Sequence, residues 1–157
     1  MLYKMIVIGV AMFALFGAAV LGVGGGEGVS EIEGKDMRNS RFGIWLTTDW
    51  AVYTPEQPVN IEFCVFNRTG EEITLYFRNA QRYDFTIEDE EGSKIWRWSE
   101  GRMFAQMLGE EILGPNNPEI IYATEYKDKL SPGYYKVTGI LVAKDKLMLG
   151  NVIIIVK

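Results

Sequence analysis

No histidine occurs anywhere in this chain of 157 residues. That absence removes His-based general acid–base catalysis, Ser-His-Asp and Cys-His nucleophile pairs, and nearly all catalytic zinc sites. Cysteine is almost as scarce. Cys64 stands alone, which excludes an intramolecular disulfide, a CxxC metal site and a dithiol redox motif. A basic excess is missing too: the net charge is −5 with 24% charged residues. Nucleic acid is therefore not an expected partner, because binding phosphates calls for a cationic face. No nucleotide-binding glycine motif and no βαβ rhythm appears either. The fold has to stand on packing alone, and a chain of this length can bury a sizeable core.

What is present divides into three parts. The stretch "MLYKMIVIGVAMFALFGAAVLGVGGGEG" carries one early cation, Lys4, and then an uncharged run from Met5 to Val23. The run approaches bilayer-spanning length, and Glu27, Glu31 and Glu33 follow it. Residues 1–23 are thus expected to be a signal peptide or N-terminal membrane helix. Residues 24–41, with Gly24-Gly25-Gly26, read as a flexible linker. Residues 42–157 read as the folded domain, which this order places outside the cytoplasm, either anchored or secreted.

From Phe42 onward the pattern is one of short strands. In "PVNIEFCVFN", Val59, Ile61, Phe63 and Val65 alternate with Asn60, Glu62 and Cys64, the period of a pleated strand with one buried face. "FGIWLTTDW", "ITLYF", "RYDFTIED", "IWRW", "PEIIYATEY", "LSPGYYKVTGILVA" and "NVIIIVK" complete a set of strand-like segments, punctuated by turn residues. The unbroken "VIIIV" predicts a strand buried on both faces or covered at an edge. This rhythm is that of an all-β, immunoglobulin-like antiparallel β-sandwich, without the Cys…Trp…Cys framework of antibody domains.

Candidate sites are few. Glu88-Asp89-Glu90-Glu91 is read as a solvated turn, because it lacks EF-hand spacing. Asn67-Arg68-Thr69 matches a glycosylation sequon placed in a turn. Cys64 is expected to be a half-buried small hydrophobe. No pattern calls for a metal, a cofactor or a catalytic group, and the chain is not expected to be an enzyme. The stretch "WRWSEGRMFAQMLGEE" departs from its surroundings. Ser99 suits an N-cap and Gly109 a C-terminal stop. Met103, Phe104, Met107 and Leu108 recur at helical offsets, which predicts a short helical crossover docked on the open end of the sandwich. Trp and Arg are also the residues of interface hot spots. Trp96, Arg97, Trp98, Arg102 and Phe104 are therefore the candidate partner-binding residues, with packing as the competing reading.

Several motifs here resemble the BsuPI-type intracellular proteinase inhibitors. They are Ala80-Gln81-Arg82-Tyr83-Asp84-Phe85, Trp96-Arg97-Trp98-Ser99, Gly101-Arg102-Met103-Phe104, Leu108-Gly109-Glu110-Glu111 and the closing turn from Pro132 to Gly139. The resemblance runs from about Ala51 to Ala143, leaving a tail, Lys144 to Lys157, that can add a strand. It implies an Ig-like sandwich and a non-enzymatic inhibitor whose partner is a subtilisin-like serine protease. The alternative is a membrane-displayed interaction module without inhibitory activity, whose partner is an envelope protein. In either case residues 1–23 would contact the membrane if uncleaved.

Overall fold

The computed structural model describes residues 28–29, 41–115, 119–144 and 146–157. Eleven strands occur among them, in order β1 (Gly28–Val29), β2 (Phe42–Thr48), β3 (Val52–Tyr53), β4 (Val59–Asn67), β5 (Ile73–Phe77), β6 (Tyr83–Asp89), β7 (Lys94–Arg97), β8 (Gly109–Leu113), β9 (Glu119–Tyr126), β10 (Gly133–Ala143) and β11 (Lys146–Val156). One sheet has the order β1-β2-β4-β9, a second β3-β11-β10-β6-β7, and β5 pairs with β8 as a separate ribbon. All pairings are antiparallel except the short β11–β3 contact.

The alternation read from sequence becomes burial. Val59, Ile61, Phe63 and Val65 of β4 are all fully buried, and they meet Phe85, Val137, Leu141 and Ile154 of the second sheet in one hydrophobic core. The two sheets are in tight contact at Phe63. On the facing sheet Gly139 lies opposite Gly150, and together they leave a hollow with no side chain. A Cβ at Gly139 would come within 2.7 Å of the Phe63 ring and 2.9 Å of Leu46, so the hollow is filled to contact. Phe85 then meets Phe63 edge-on, with centroids 6.4 Å apart, a favoured aromatic geometry.

The C-terminal tail does add a strand, since β11 pairs along the whole of β10. It is covered at its edge, where β3 pairs with Ile155 and Val156, and it is not buried on both faces. Val152, Ile154 and Val156 point into the core while Ile153 is exposed, so the run of branched residues reflects strand propensity more than double coverage.

The expected helical crossover does not form. Residues 102–108 have no regular secondary structure, and no helix occurs among the described residues. The backbone bonds explain why. In a helix the Ala105 carbonyl would accept from Gly109; here it accepts from Ala80 N (2.9 Å) and Met107 N (2.9 Å). Gly101 has a φ of 74°, which closes a turn rather than continuing a helical one. Met103, Met107 and Leu108 are exposed, so three of the four residues of the apolar stripe that a two-turn helix needs for support find no surface. The expected helix over residues 1–23 lies outside the described residues.

Candidate functional site

The irregular segment from Trp98 to Leu108 is held by a brace built from the conspicuous motifs of the sequence. Its foundation is Asp84 on β6, a carboxylate with no exposure at all. A buried charge is costly unless its oxygens are satisfied. Four donors satisfy this one: Arg97 Nε at 2.6 Å, Ser99 Oγ at 2.7 Å, Ser99 N at 3.0 Å and Phe85 N at 3.0 Å. Three of the four come from the last residue of β7, Arg97, and from Ser99 just after it. Asp84 therefore fixes where the segment leaves the sheet.

The next layer is aromatic. Tyr83 stacks on Tyr122 (4.6 Å) and meets Trp98 (4.5 Å), and Trp98 meets Phe104 (5.9 Å). The Arg102 guanidinium lies 4.3 Å from the Trp98 ring centroid, a cation–π contact, while its Nε donates to the Trp98 carbonyl (2.7 Å). Trp98 thus holds residues on both sides of Met103.

The far end is tied down by Arg82. It lies over Phe77 at 4.5 Å, donates from Nε to Glu111 Oε1 (3.1 Å) and caps the Asn79 carbonyl (2.8 Å). This arrangement requires Gly109, because a Cβ there would collide with the Arg82 guanidinium. Between these anchors the chain projects. Met103 is 97% exposed, Leu108 79% and Met107 65%, which places three large apolar side chains at the surface of one short segment.

The candidate residues fall into two groups. Arg102 and Phe104 belong to the projecting segment, with Trp98 directly beneath them and Arg97 fastening the base through Asp84. Trp96 lies one step away, half-buried against Tyr126 (5.3 Å). Sequence reasoning treated Met103, Met107 and Leu108 as inward-facing and so overlooked them. The available signal was Gly101, a poor helix former placed inside the first turn of the expected helix.

Other sequence candidates resolve simply. In the sequon, Asn67 Nδ2 is engaged inward, donating to Glu71 O (2.6 Å) and Leu113 O (2.8 Å), so the nitrogen that would carry a glycan is committed to the fold. Around Glu88-Asp89-Glu90-Glu91, Asp89 Oδ1 accepts from Glu91 N and Ser93 N to close a hairpin turn. Among the described residues no cluster of three or more His, Cys, Asp or Glu side chains could hold a metal ion. Cys64 is fully buried rather than half-buried. Burial and the neighbouring Glu119 push its thiol up to about 12, which keeps it protonated and unreactive at neutral pH.

The profile of a protein family described as intracellular proteinase inhibitor (BsuPI) matches residues 46–146, well over half of the chain. The match includes the whole brace and the projecting segment, and it ends as β11 begins. It overturns the expected extracytoplasmic location, since the family is described as intracellular. No helix among the described residues, which do not include 1–23, is long and apolar enough to cross a membrane. No curated protein matches the chain. Among solved structures, the CARDB domain of a Pyrococcus furiosus protein in complex with di-metal ions is 11% identical, with a TM-score of 0.43 over 74% of this chain and 87% of that one. The sporulation control protein Spo0M of Bacillus subtilis is 12% identical, with a TM-score of 0.45 over 75% of this chain and 50% of that one. Likenesses at that level carry no argument about activity.

Proposed function

Because the chain belongs to the family of intracellular proteinase inhibitors, we propose that it inhibits a subtilisin-like serine protease by presenting the segment from Trp98 to Leu108 to the protease cleft. The observation that carries this reading is the combination of projection and bracing. The exposed residues Met103, Met107 and Leu108 sit on a chain whose two ends are fixed by Asp84 and Arg82. A protease cleft binds extended chain, and a segment already held in place loses little conformational freedom on binding. Arg102 and Phe104 would flank the contact, Trp98 and Arg97 would support it, and Trp96 would extend the surface toward β7.

The family implies a binding protein rather than an enzyme. The alternative, an interaction module without inhibitory activity, is favoured by a different surface. Tyr134, Leu149 and Ile153 are exposed on the outer face of β10 and β11, and β11 lies almost wholly outside the matched region.

Titration of a subtilisin-like protease with the purified full-length chain separates the two. Inhibition predicts a linear, stoichiometric loss of protease activity. Undiminished activity at micromolar excess of the chain would sink the inhibitor reading and leave the interaction module.

A further inference from the structure

We infer that Met103 is the residue that enters the protease's primary specificity pocket, and that Met103–Phe104 is the bond presented to the catalytic serine. This inference rests on the inhibitor reading above and deepens it.

Three observations single out Met103 from its exposed neighbours. First, it is the most exposed large apolar side chain described, at 97%. Second, among the described residues none hydrogen-bonds to its backbone N–H or C=O. Both groups are therefore free to pair with a protease's substrate-binding strand, as extended peptides do when they add to an open edge. Third, both adjoining residues are pinned to one side chain: Arg102 through its 4.3 Å contact with Trp98, and Phe104 through its 5.9 Å contact with the same ring. Met107 lacks these properties, because its own N–H closes a tight turn to the Ala105 carbonyl. Leu108 runs directly into Gly109 and β8.

The anchoring also accounts for inhibition rather than digestion. The protease serine Oγ attacks the Met103 carbonyl carbon, and its proton passes to the protease histidine. The Met103–Phe104 bond breaks as that proton moves to the Phe104 nitrogen, leaving an acyl-enzyme and a free amine. In an ordinary substrate the amine departs and water takes its place. Here Phe104 stays against Trp98, and Ala105 stays bonded to Ala80. The amine is held beside the ester, where effective concentrations of about 10⁵ M and upward favour its return over hydrolysis. Reversal re-forms the peptide bond and returns the proton to the serine. A flexible, unpolarised Met side chain suits a protease with an apolar pocket, and an acidic pocket would be left unpaired.

The test uses the full-length chain and its Met103 variants against a subtilisin-like protease with an apolar primary pocket. Met103→Asp is expected to weaken inhibition by at least about 100-fold, the scale of losing a buried hot-spot contact. Met103→Leu should retain it, and Met103→Lys should transfer inhibition to a trypsin-type protease. Unchanged melting temperatures would show that the variants fold. After long incubation and acid quenching, the new N-terminus should be Phe104 alone. If the parent chain inhibits and Met103→Asp inhibits equally, or the cut falls at another bond, the Met103 assignment is overturned while the inhibitor reading survives. If the parent chain does not inhibit at all, both fall together.

Discussion

Phe63 and Phe104 are both aromatic side chains docked on a neighbouring ring, yet their surroundings differ completely. Phe63 is fully buried, locked between Leu46 and the hollow made by Gly139 and Gly150. Phe104 is half-buried on Trp98, beside a Met103 that touches almost nothing. The first contact joins two sheets, and dispersion and apolar burial account for it. The second holds a piece of exposed chain in one shape, and a buried carboxylate, a cation–π contact and a glycine are all arranged to do so. The brace applies these interactions to a segment whose Met103, Met107 and Leu108 stay exposed. Its presence marks the segment as one whose conformation, rather than whose burial, matters.

The sharpest way to break this comparison is to attack each side at its most buried point. Phe63→Ala should destabilise the chain by about 3–5 kcal/mol, the range for truncating a buried aromatic. Gly139→Val should be comparably harmful, because its side chain would have to occupy space already held by Phe63 and Leu46. Urea denaturation measures both. The loss should fall on global stability, with inhibition by the fraction still folded unchanged. Asp84→Ala should cost less, about 2–3 kcal/mol for the loss of charge-assisted hydrogen bonds, because Arg97 is partly exposed and can turn to water. Its signature should be local. Limited proteolysis should open the Trp98–Leu108 segment before the sandwich unfolds. Equal protection of that segment in Asp84→Ala and the parent would show that the carboxylate is not its anchor.

The two regions were also unequally legible in the sequence. β4 could be read directly, because Val59, Ile61, Phe63 and Val65 keep strict period two and one face of the strand is buried. The brace could not be read that way. Met103, Phe104, Met107 and Leu108 have helical spacing, and spacing says nothing about whether an apolar face finds a surface. What decided the matter was long-range. Ala80 takes the Ala105 carbonyl, and Arg82 occupies the space beside Gly109. Neither partner is near in sequence, and β8 was hidden for the same reason. The residues of the brace were visible as motifs, while their roles depended on contacts that no local pattern encodes. Cys64 is a milder case. Alternation puts it on the outward face, but outward-facing positions can still be covered by neighbours.

A smaller effect sharpens the division within the brace itself. Arg102→Ala should lower stability by no more than about 1 kcal/mol, since cation–π contacts at exposed sites are worth roughly that. If the segment works through its shape, inhibition should nonetheless weaken by about tenfold as the Trp98 contact is lost. Arg102→Lys should recover part of it, because the charge over the ring is kept while the planar donor to the Trp98 carbonyl is not. A variant that loses stability and inhibition in proportion would instead place Arg102 with the sandwich.

Cys64 tests whether a covered outward position behaves as core. It lies in register between Trp45 and Ile121, with its Sγ 3.7 Å from Glu119 Oε2. Its thiol is raised to about 12 from an ordinary value of 9.0. A raised folded-state value means that the folded form holds the proton more tightly. The contribution is fully present below pH 9 and is lost as pH climbs toward 12, where the unfolded chain ionises first. The stability difference between the parent and Cys64→Ala should therefore be flat from neutral pH to about pH 8.5 and then shift against the parent as pH rises. Comparing the pair cancels the tyrosines and lysines that titrate in the same range. A difference that stays flat through pH 11 would mean that the thiol ionises as readily in the fold as out of it, and that the outer face of β4 is open to water at Cys64.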